Sequence, residues 1–321
     1  MKLPAIASLG LSLLLGVGIG VGARQYLAGT EQGRSLLSRI GLSSGQSEQG
    51  DLQEPAVPER IQGKLDLYVL VGQSNMVGKA PVPDDLRSSA NIFLFGNDYR
   101  WKSATEPTDD STNQVDAISR DKFAGFGPAF TFAQTLVLQD SNQFIGLIPC
   151  ALSGSSITDW QRGLGDETLY GSCLKRVRAA SPMGNVAGIL FFQGEADTID
   201  PQQFPGLQPD AQAWAEKFAL FAYDFRQDIG RPNVPFVYAQ LGSPEDLEGL
   251  PNWELVQQQQ ANIQIPNGAM IETSDLPMDG IHFTTESYEV IGQRYADAIA
   301  QLSGASNINL TGESPAPESA Q

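Results

Sequence analysis

Apolar residues follow two spacings along this chain. Continuous runs of β-branched, aliphatic and aromatic residues at 67–71, 92–95, 144–148, 186–192, 234–240 and 269–272 read as strands buried on both faces. Between most of them lie longer segments with apolar positions three and four apart, at 129–139, 168–180, 211–227, 253–263 and 285–301, and these read as helices. Strands that alternate with helices pair in parallel, because each crossover helix must lie on a face of the sheet. The pattern predicts an α/β protein, a three-layer α/β/α sandwich around a parallel sheet. From 99 to 126 the chain is poor in apolar residues and rich in Asp, Thr and Ser, which predicts a long surface loop near the active edge.

Both ends depart from this pattern. Met1 and Lys2 precede an uncharged apolar stretch from Leu3 to Ala23, which predicts a signal peptide or an N-terminal membrane anchor over 1–23. Val21-Gly22-Ala23 fits a cleavage site, and Gly16, Gly18, Gly20 and Gly22 fit equally a tight packing face on a retained anchor. Arg24, Arg34 and Arg39 pull against export by the positive-inside rule; export is still the expectation, so the chain is placed outside the cytoplasm, secreted or held to the membrane by its N-terminus. Residues 24–60, whose second half is Ser, Gln, Glu, Gly and Pro-rich, predict a flexible linker, 61–303 the catalytic domain, and 304–321 a disordered tail.

With 321 residues, 41% of them hydrophobic and 18% charged, the chain can bury one full core. The net charge of −17, from 37 acidic against 20 basic residues, argues against nucleic acid as a partner, since phosphates need clustered Lys and Arg. Cys150 and Cys173 are the only cysteines and permit either one disulfide in an oxidising compartment or two buried thiols. With a single histidine besides, no Cys/His metal cluster can form, and no metal or other cofactor is expected.

That histidine stands in Met278-Asp279-Gly280-Ile281-His282. Imidazole is the side chain best suited to relay a proton near neutral pH, and a carboxylate three residues ahead can receive its Nδ1 proton. A nucleophile stands at Gly72-Gln73-Ser74-Asn75-Met76, directly after the first strand, where ligands of open α/β sheets bind and where backbone amides can hold an oxyanion. Each motif has a plainer reading: Ser74 as a helix cap, Asp279 as a cap with the histidine merely packed beside it. Two further turns, Ser153-Gly154-Ser155-Ser156 and Gln193-Gly194-Glu195, also follow strands, and four polar turns converging on one edge point to a reaction centre.

Taken in order, Gly72-Gln73-Ser74-Asn75-Met76, Gly127-Pro128, Ile148-Pro149-Cys150-Ala151 leading into Ser153-Gly154-Ser155-Ser156-Ile157 with Trp160, Phe192-Gln193-Gly194-Glu195 and Asp279-Gly280-Ile281-His282-Phe283 resemble the SGNH hydrolase superfamily. Within it they resemble the sialate O-acetylesterase-like group that includes carbohydrate esterase family 6, over about residues 64 to 302. The resemblance implies a flavodoxin-like sandwich and hydrolysis of acetyl esters on an acetylated carbohydrate. It implies Ser74 as nucleophile, His282 as general base and then acid, and Asp279 as the group holding the imidazole. It implies the amides of Ser74 and Gly154 and the carboxamide of Gln193 as oxyanion donors, with Gln73, Asn75, Glu195 and Trp160 in supporting or substrate-binding places. The chain departs from many relatives in having Ser153 where they carry a first glycine. A lipase or thioesterase is the rival within the same chemistry and would need an apolar acyl pocket, whereas 105–121, expected at the mouth, is polar. A catalytically idle carbohydrate-binding envelope protein is the rival outside it, with Trp101, Trp160 and Trp253 as sugar-stacking candidates.

Overall fold

The first apolar run becomes β1 (Leu65–Gly72), whose side chains divide between two cores. Leu65, Leu67, Val69 and Val71 enter one core, while Tyr68 and Leu70 enter the other. A strand apolar on both faces must lie between two helical layers, and it does. The computed structural model describes residues 57–310 apart from 85, 87, 119 and 203–206. The membrane-targeting segment at 1–23, most of the linker and the end of the tail lie outside the described residues.

After β1 come α1 (Ser74–Val77), β2 (Ile92–Phe95), β3 (Trp101–Ser103), α2 (Pro128–Gln139), β4 (Ile145–Ala151), α3 (Leu169–Ala180) and β5 (Gly184–Phe192). Then follow α4 (Trp214–Asp228), β6 (Phe236–Ala239), α5 (Trp253–Asn262), β7 (Gly268–Ile271), the hairpin β8 (Met278–Asp279) and β9 (His282–Phe283), and α6 (Thr285–Leu310). Among the described residues the main sheet runs β3-β2-β4-β1-β5-β6-β7, and every neighbouring pair is parallel except β2 with β3. Helices α2 and α6 cover one face, and α3, α4 and α5 the other, which is the three-layer sandwich that the alternating pattern predicts. The chain leaves β1 toward β2 and β4 on one side and later crosses to β5 on the other. The crevice at the carboxyl end of β1 is therefore flanked by the turns after β4 and β5.

Val57 and Ile61 are buried in the core. Helix α6 runs on to Leu310. One expectation is corrected. The stretch 99–126 is not a plain surface loop: β3 adds an antiparallel edge strand, and Ala104, Thr108, Asp109 and Ile118 are buried. Some of its polar residues face solvent, and others find partners inside the protein. Arg176 is fully buried, pairs with Asp116 at 2.7 Å and donates to the Pro149 carbonyl at 2.7 Å. Among the described residues no helix is long and apolar enough to cross a membrane.

Of the two readings left open for the cysteines, the disulfide is the one formed: Cys150 of β4 is bonded to Cys173 of α3. The two are 23 positions apart, and closing a loop of that length is worth about 3 kcal/mol through the unfolded chain. Replacing both cysteines by alanine is expected to lower Tm by about 10 °C. Thermal unfolding of the oxidised and the double-alanine proteins checks this, and equal Tm values would show that the bond contributes nothing.

Candidate active site

Ser74 owes its position to the two residues before it. Gly72 has φ +144, and a Cβ on it would lie 2.0 Å from the Phe192 carbonyl oxygen, so β1 and β5 approach here as only glycine allows. Gln73 is extended (φ −124, ψ −150) and donates its amide to that same Phe192 oxygen at 2.9 Å. The chain then turns at once into α1, which leaves Ser74 at the mouth of the crevice, 5% exposed.

His282 reaches it from the far end of the chain. Gly280, with φ +60, turns the hairpin, and β9 carries the imidazole so that Nε2 lies 3.0 Å from Ser74 Oγ across 208 positions of sequence. Asn75 bolts the pieces together. Its Nδ2 donates to the Ile281 carbonyl at 3.0 Å and to the Glu195 carboxylate, and its Oδ1 accepts from Tyr288 at 2.6 Å. Asn75 is fully buried, and its side chain is engaged within the protein.

Asp279 and His282 face each other across the β8–β9 pair. Asp279 is exposed, however, and among the described residues no hydrogen bond joins its carboxylate to the imidazole. Its charge is still felt. Burial and the nearby Lys79 cation push the His282 pKa below the usual imidazole value, and Asp279 opposes them in part.

The groups expected as oxyanion donors are placed unequally. The amides of Ser74 and Gly154 make no hydrogen bond among the described residues, and Gly154 sits at φ +74 on an exposed turn. Gln193 is not brought to the mouth. It is fully buried, its Nε2 donates to Asp197 Oδ2 at 2.6 Å, to the Ser155 carbonyl at 3.1 Å and to Gln73 Oε1 at 3.3 Å, and its Oε1 accepts from Trp214 Nε1 at 2.9 Å. A carboxamide whose Nε2 protons face acceptors inside the core does not present them to a reacting oxygen at the mouth. Gln73 stands nearer: its Oε1 accepts from the amides of Gly194 and Ala196 at 3.3 and 3.2 Å, while its Nε2 makes no hydrogen bond among the described residues. The non-glycine Ser153 is accommodated because its amide donates to Asp121 Oδ2 at 2.8 Å, which fixes the turn that presents Gly154.

Two cavities meet at His282 and Lys79. One, of about 250 Å³, is lined by Ser74, Gly154 and Glu195 and by the apolar side chains of Ala196, Ile199, Leu250 and Ile281. The other, of about 310 Å³, is lined by Asp279, Thr284, Thr285 and Glu286 among others. The segment 105–121, expected at this mouth, supplies none of the lining: Asp116 is held by Arg176, and Asp121 stands beside the mouth, paired with Lys79 at 3.4 Å. Burial pushes the Glu195 carboxyl up to about 7 and that of Asp197 to about 6. Glu195 Oε2 and Ser153 Oγ are buried without a hydrogen-bond partner among the described residues. No group of three or more His, Cys, Asp or Glu that could hold a metal occurs among the described residues.

Two of the three tryptophans are buried, and Trp101 is half-buried. Trp160 is fully buried and donates to Ser155 Oγ at 3.0 Å, Trp253 is buried and donates to the Gly242 carbonyl at 3.0 Å, and Trp101 packs against Phe95 with centroids 5.2 Å apart. Lys79 and Asp197 were not singled out by sequence reasoning. Asp197 carried a signal, standing four residues after Gln193 at the same turn; Lys79 carried none beyond lying five residues past the serine.

Gln193→Ala is expected to cost about 2 to 4 kcal/mol of stability, because it leaves the Trp214 indole N–H without its acceptor, removes one of the hydrogen bonds to the Asp197 carboxylate and opens a cavity inside the core. Denaturant unfolding measures this. A variant of unchanged stability that turns over a hundredfold more slowly would restore Gln193 as an oxyanion donor.

Comparison with known proteins adds to this geometry. A family described as carbohydrate esterase, sialic acid-specific acetylesterase, matches residues 64–301. The probable carbohydrate esterase At4g34215 of Arabidopsis thaliana is 27% identical over an alignment of 268 residues that covers 77% of this chain and 93% of that protein. The crystal structure of that Arabidopsis thaliana protein superposes with a TM-score of 0.62 at 26% identity, over 73% of this chain and 97% of the other. The fold is shared more widely: XAC1771, a carbohydrate acetylesterase from Xanthomonas citri, gives a TM-score of 0.56 at 21% identity over 75% of this chain and 57% of its own. NanS gives 0.55 at 17% identity, over 76% of this chain and 99% of its own.

Proposed function

The chain belongs to the carbohydrate esterase, sialic acid-specific acetylesterase family, and from that premise we propose that it is a serine-dependent esterase removing acetyl groups from an O-acetylated sugar or polysaccharide. The observation that carries the reading is the 3.0 Å approach of His282 Nε2 to Ser74 Oγ beside two unengaged backbone amides. Ser74 Oγ attacks the acetyl carbonyl while His282 takes its proton. The C–O bond to the sugar then breaks as His282 returns that proton to the departing sugar oxygen, and water, deprotonated by the same imidazole, releases acetate from Ser74. The amides of Ser74 and Gly154, with Gln73 Nε2 as a third donor in place of Gln193, hold the oxyanion, each worth about 3 kcal/mol of barrier. Asp279 acts on the imidazole through its charge across the hairpin. The Cys150–Cys173 bond supports a location outside the cytoplasm, where disulfides persist, with the N-terminal segment as signal or anchor.

Acetate release from a panel of acetylated sugars and glycans tests the reading. Hydrolysis of at least one, lost in Ser74→Ala, is expected; binding of such glycans with no acetate released would overturn it.

The pH dependence follows from His282. Only the neutral imidazole accepts the serine proton, and its pKa is lowered, so kcat/KM is expected to fall with decreasing pH only below the usual value of about 6.5. Lys79→Gln removes a cation that lowers this pKa, so the acid limb should move to higher pH; Asp279→Asn should move it lower. A pH profile of p-nitrophenyl acetate hydrolysis for the three proteins reads both directions, and an acid limb that stays in place in Lys79→Gln would refute the coupling.

A further inference from the structure

We propose that Ile199 and Leu250 form the wall that decides which acyl group the enzyme accepts. The inference rests on the serine-esterase reading above and specifies it further. Ser74 lines the smaller cavity, so the acyl carbon that bonds to Ser74 Oγ, and whatever chain it bears, must lie there. Ile199, Leu250, Ile281 and Ala196 make most of that cavity apolar, which suits a hydrocarbon and offers a sugar ring few partners for its hydroxyls. The second cavity is more polar, although Ala80, Pro81 and Phe283 share its lining. Lys79, Asp279, Thr284, Thr285 and Glu286 present charges and hydroxyls there, and His282 lines both spaces. An imidazole between an apolar and a polar cavity is placed where the bond between the acyl carbon and the sugar oxygen must break. The acyl group leaves toward Ser74, and the sugar oxygen takes the proton from His282.

The wall is held in place by backbone bonds. Asn252 donates to the Thr198 carbonyl and Asp200 to the Gly249 carbonyl, each at 3.2 Å, so Ile199 and Leu250 sit between two rungs joining neighbouring loops. Leu250 is fixed further by its own amide, which donates to the Leu247 carbonyl at 3.0 Å. Such a wall cannot retreat for a longer chain without breaking these bonds.

The test measures kcat/KM for p-nitrophenyl acetate, butyrate and octanoate with the full chain. In the unaltered protein the order acetate, butyrate, octanoate is expected to be one of decreasing kcat/KM. Leu250→Ala and Ile199→Ala should each raise the butyrate-to-acetate ratio by about tenfold, the usual worth of a methylene or two in an apolar pocket. Ile199→Phe should lower the same ratio. Because the ratio is internal to each preparation, partial loss of folded protein does not move it, and the filling variant gives an answer if a truncated one fails to fold. Ratios unchanged in both directions, in a protein whose hydrolysis still requires Ser74, would overturn the wall while leaving the esterase reading intact. Hydrolysis that does not require Ser74 would overturn the esterase reading itself.

Discussion

Ser74→Ala is expected to lower kcat/KM for p-nitrophenyl acetate by about 10⁴-fold or more, with His282→Ala close behind. The two groups act as one unit, because the hydroxyl is a poor nucleophile until the imidazole 3.0 Å away removes its proton. The double variant should therefore be little worse than either single one, and that non-additivity is the signature of a shared step. Asp279→Ala should cost less than either, since Asp279 is exposed and acts on the ring without a hydrogen bond among the described residues. Steady-state kinetics on the four proteins checks the ordering. A Ser74→Ala protein with more than a few percent of the original rate would remove the serine from the chemistry.

Gly72→Ala should be severely damaging for a single methyl group, costing about 3 kcal/mol or more. The new Cβ would meet the Phe192 carbonyl oxygen at 2.0 Å, and φ +144 is strained for any residue that has a Cβ. Relief requires β1 to move off β5 at the point where Gln73 bonds to that same oxygen. Stability and rate should therefore fall together, and the loss of rate should persist in whatever fraction stays folded because Ser74 is displaced. Guanidinium unfolding alongside active-site titration separates the two effects. A stable Gly72→Ala protein of ordinary activity would show that the strands have room here.

The sandwich was legible because its strands are continuous apolar runs, and a run such as 67–71 has no other stable home than between two helical layers. What escaped is what is short or depends on distant partners. Strands β3, β8 and β9 have two or three residues each, too few for any periodicity to register. The polar stretch 99–126 resembled a loop because no local signal says that Asp116 will meet a buried guanidinium 60 positions later. The site divides in the same way. Ser74 and His282 were recoverable from residue type and turn position, and the structure places them within hydrogen-bond reach. Gln193 was read as a donor because the motif names the residue at the turn; which way its amide points depends on Trp214 and Asp197, whose contact with it is a product of folding.

Under the proposed mechanism, the 208 positions between the serine and the histidine also set the moment at which this chain could first act. A polypeptide emerging from the ribosome holds its alcohol group for most of its synthesis without the ring that, in that mechanism, activates it. It would then stay inert toward esters until the β8–β9 hairpin had been made and docked. A premature stop anywhere upstream of residue 282 would, on the same mechanism, leave a product with no hydrolytic capacity, however well its remaining strands assembled.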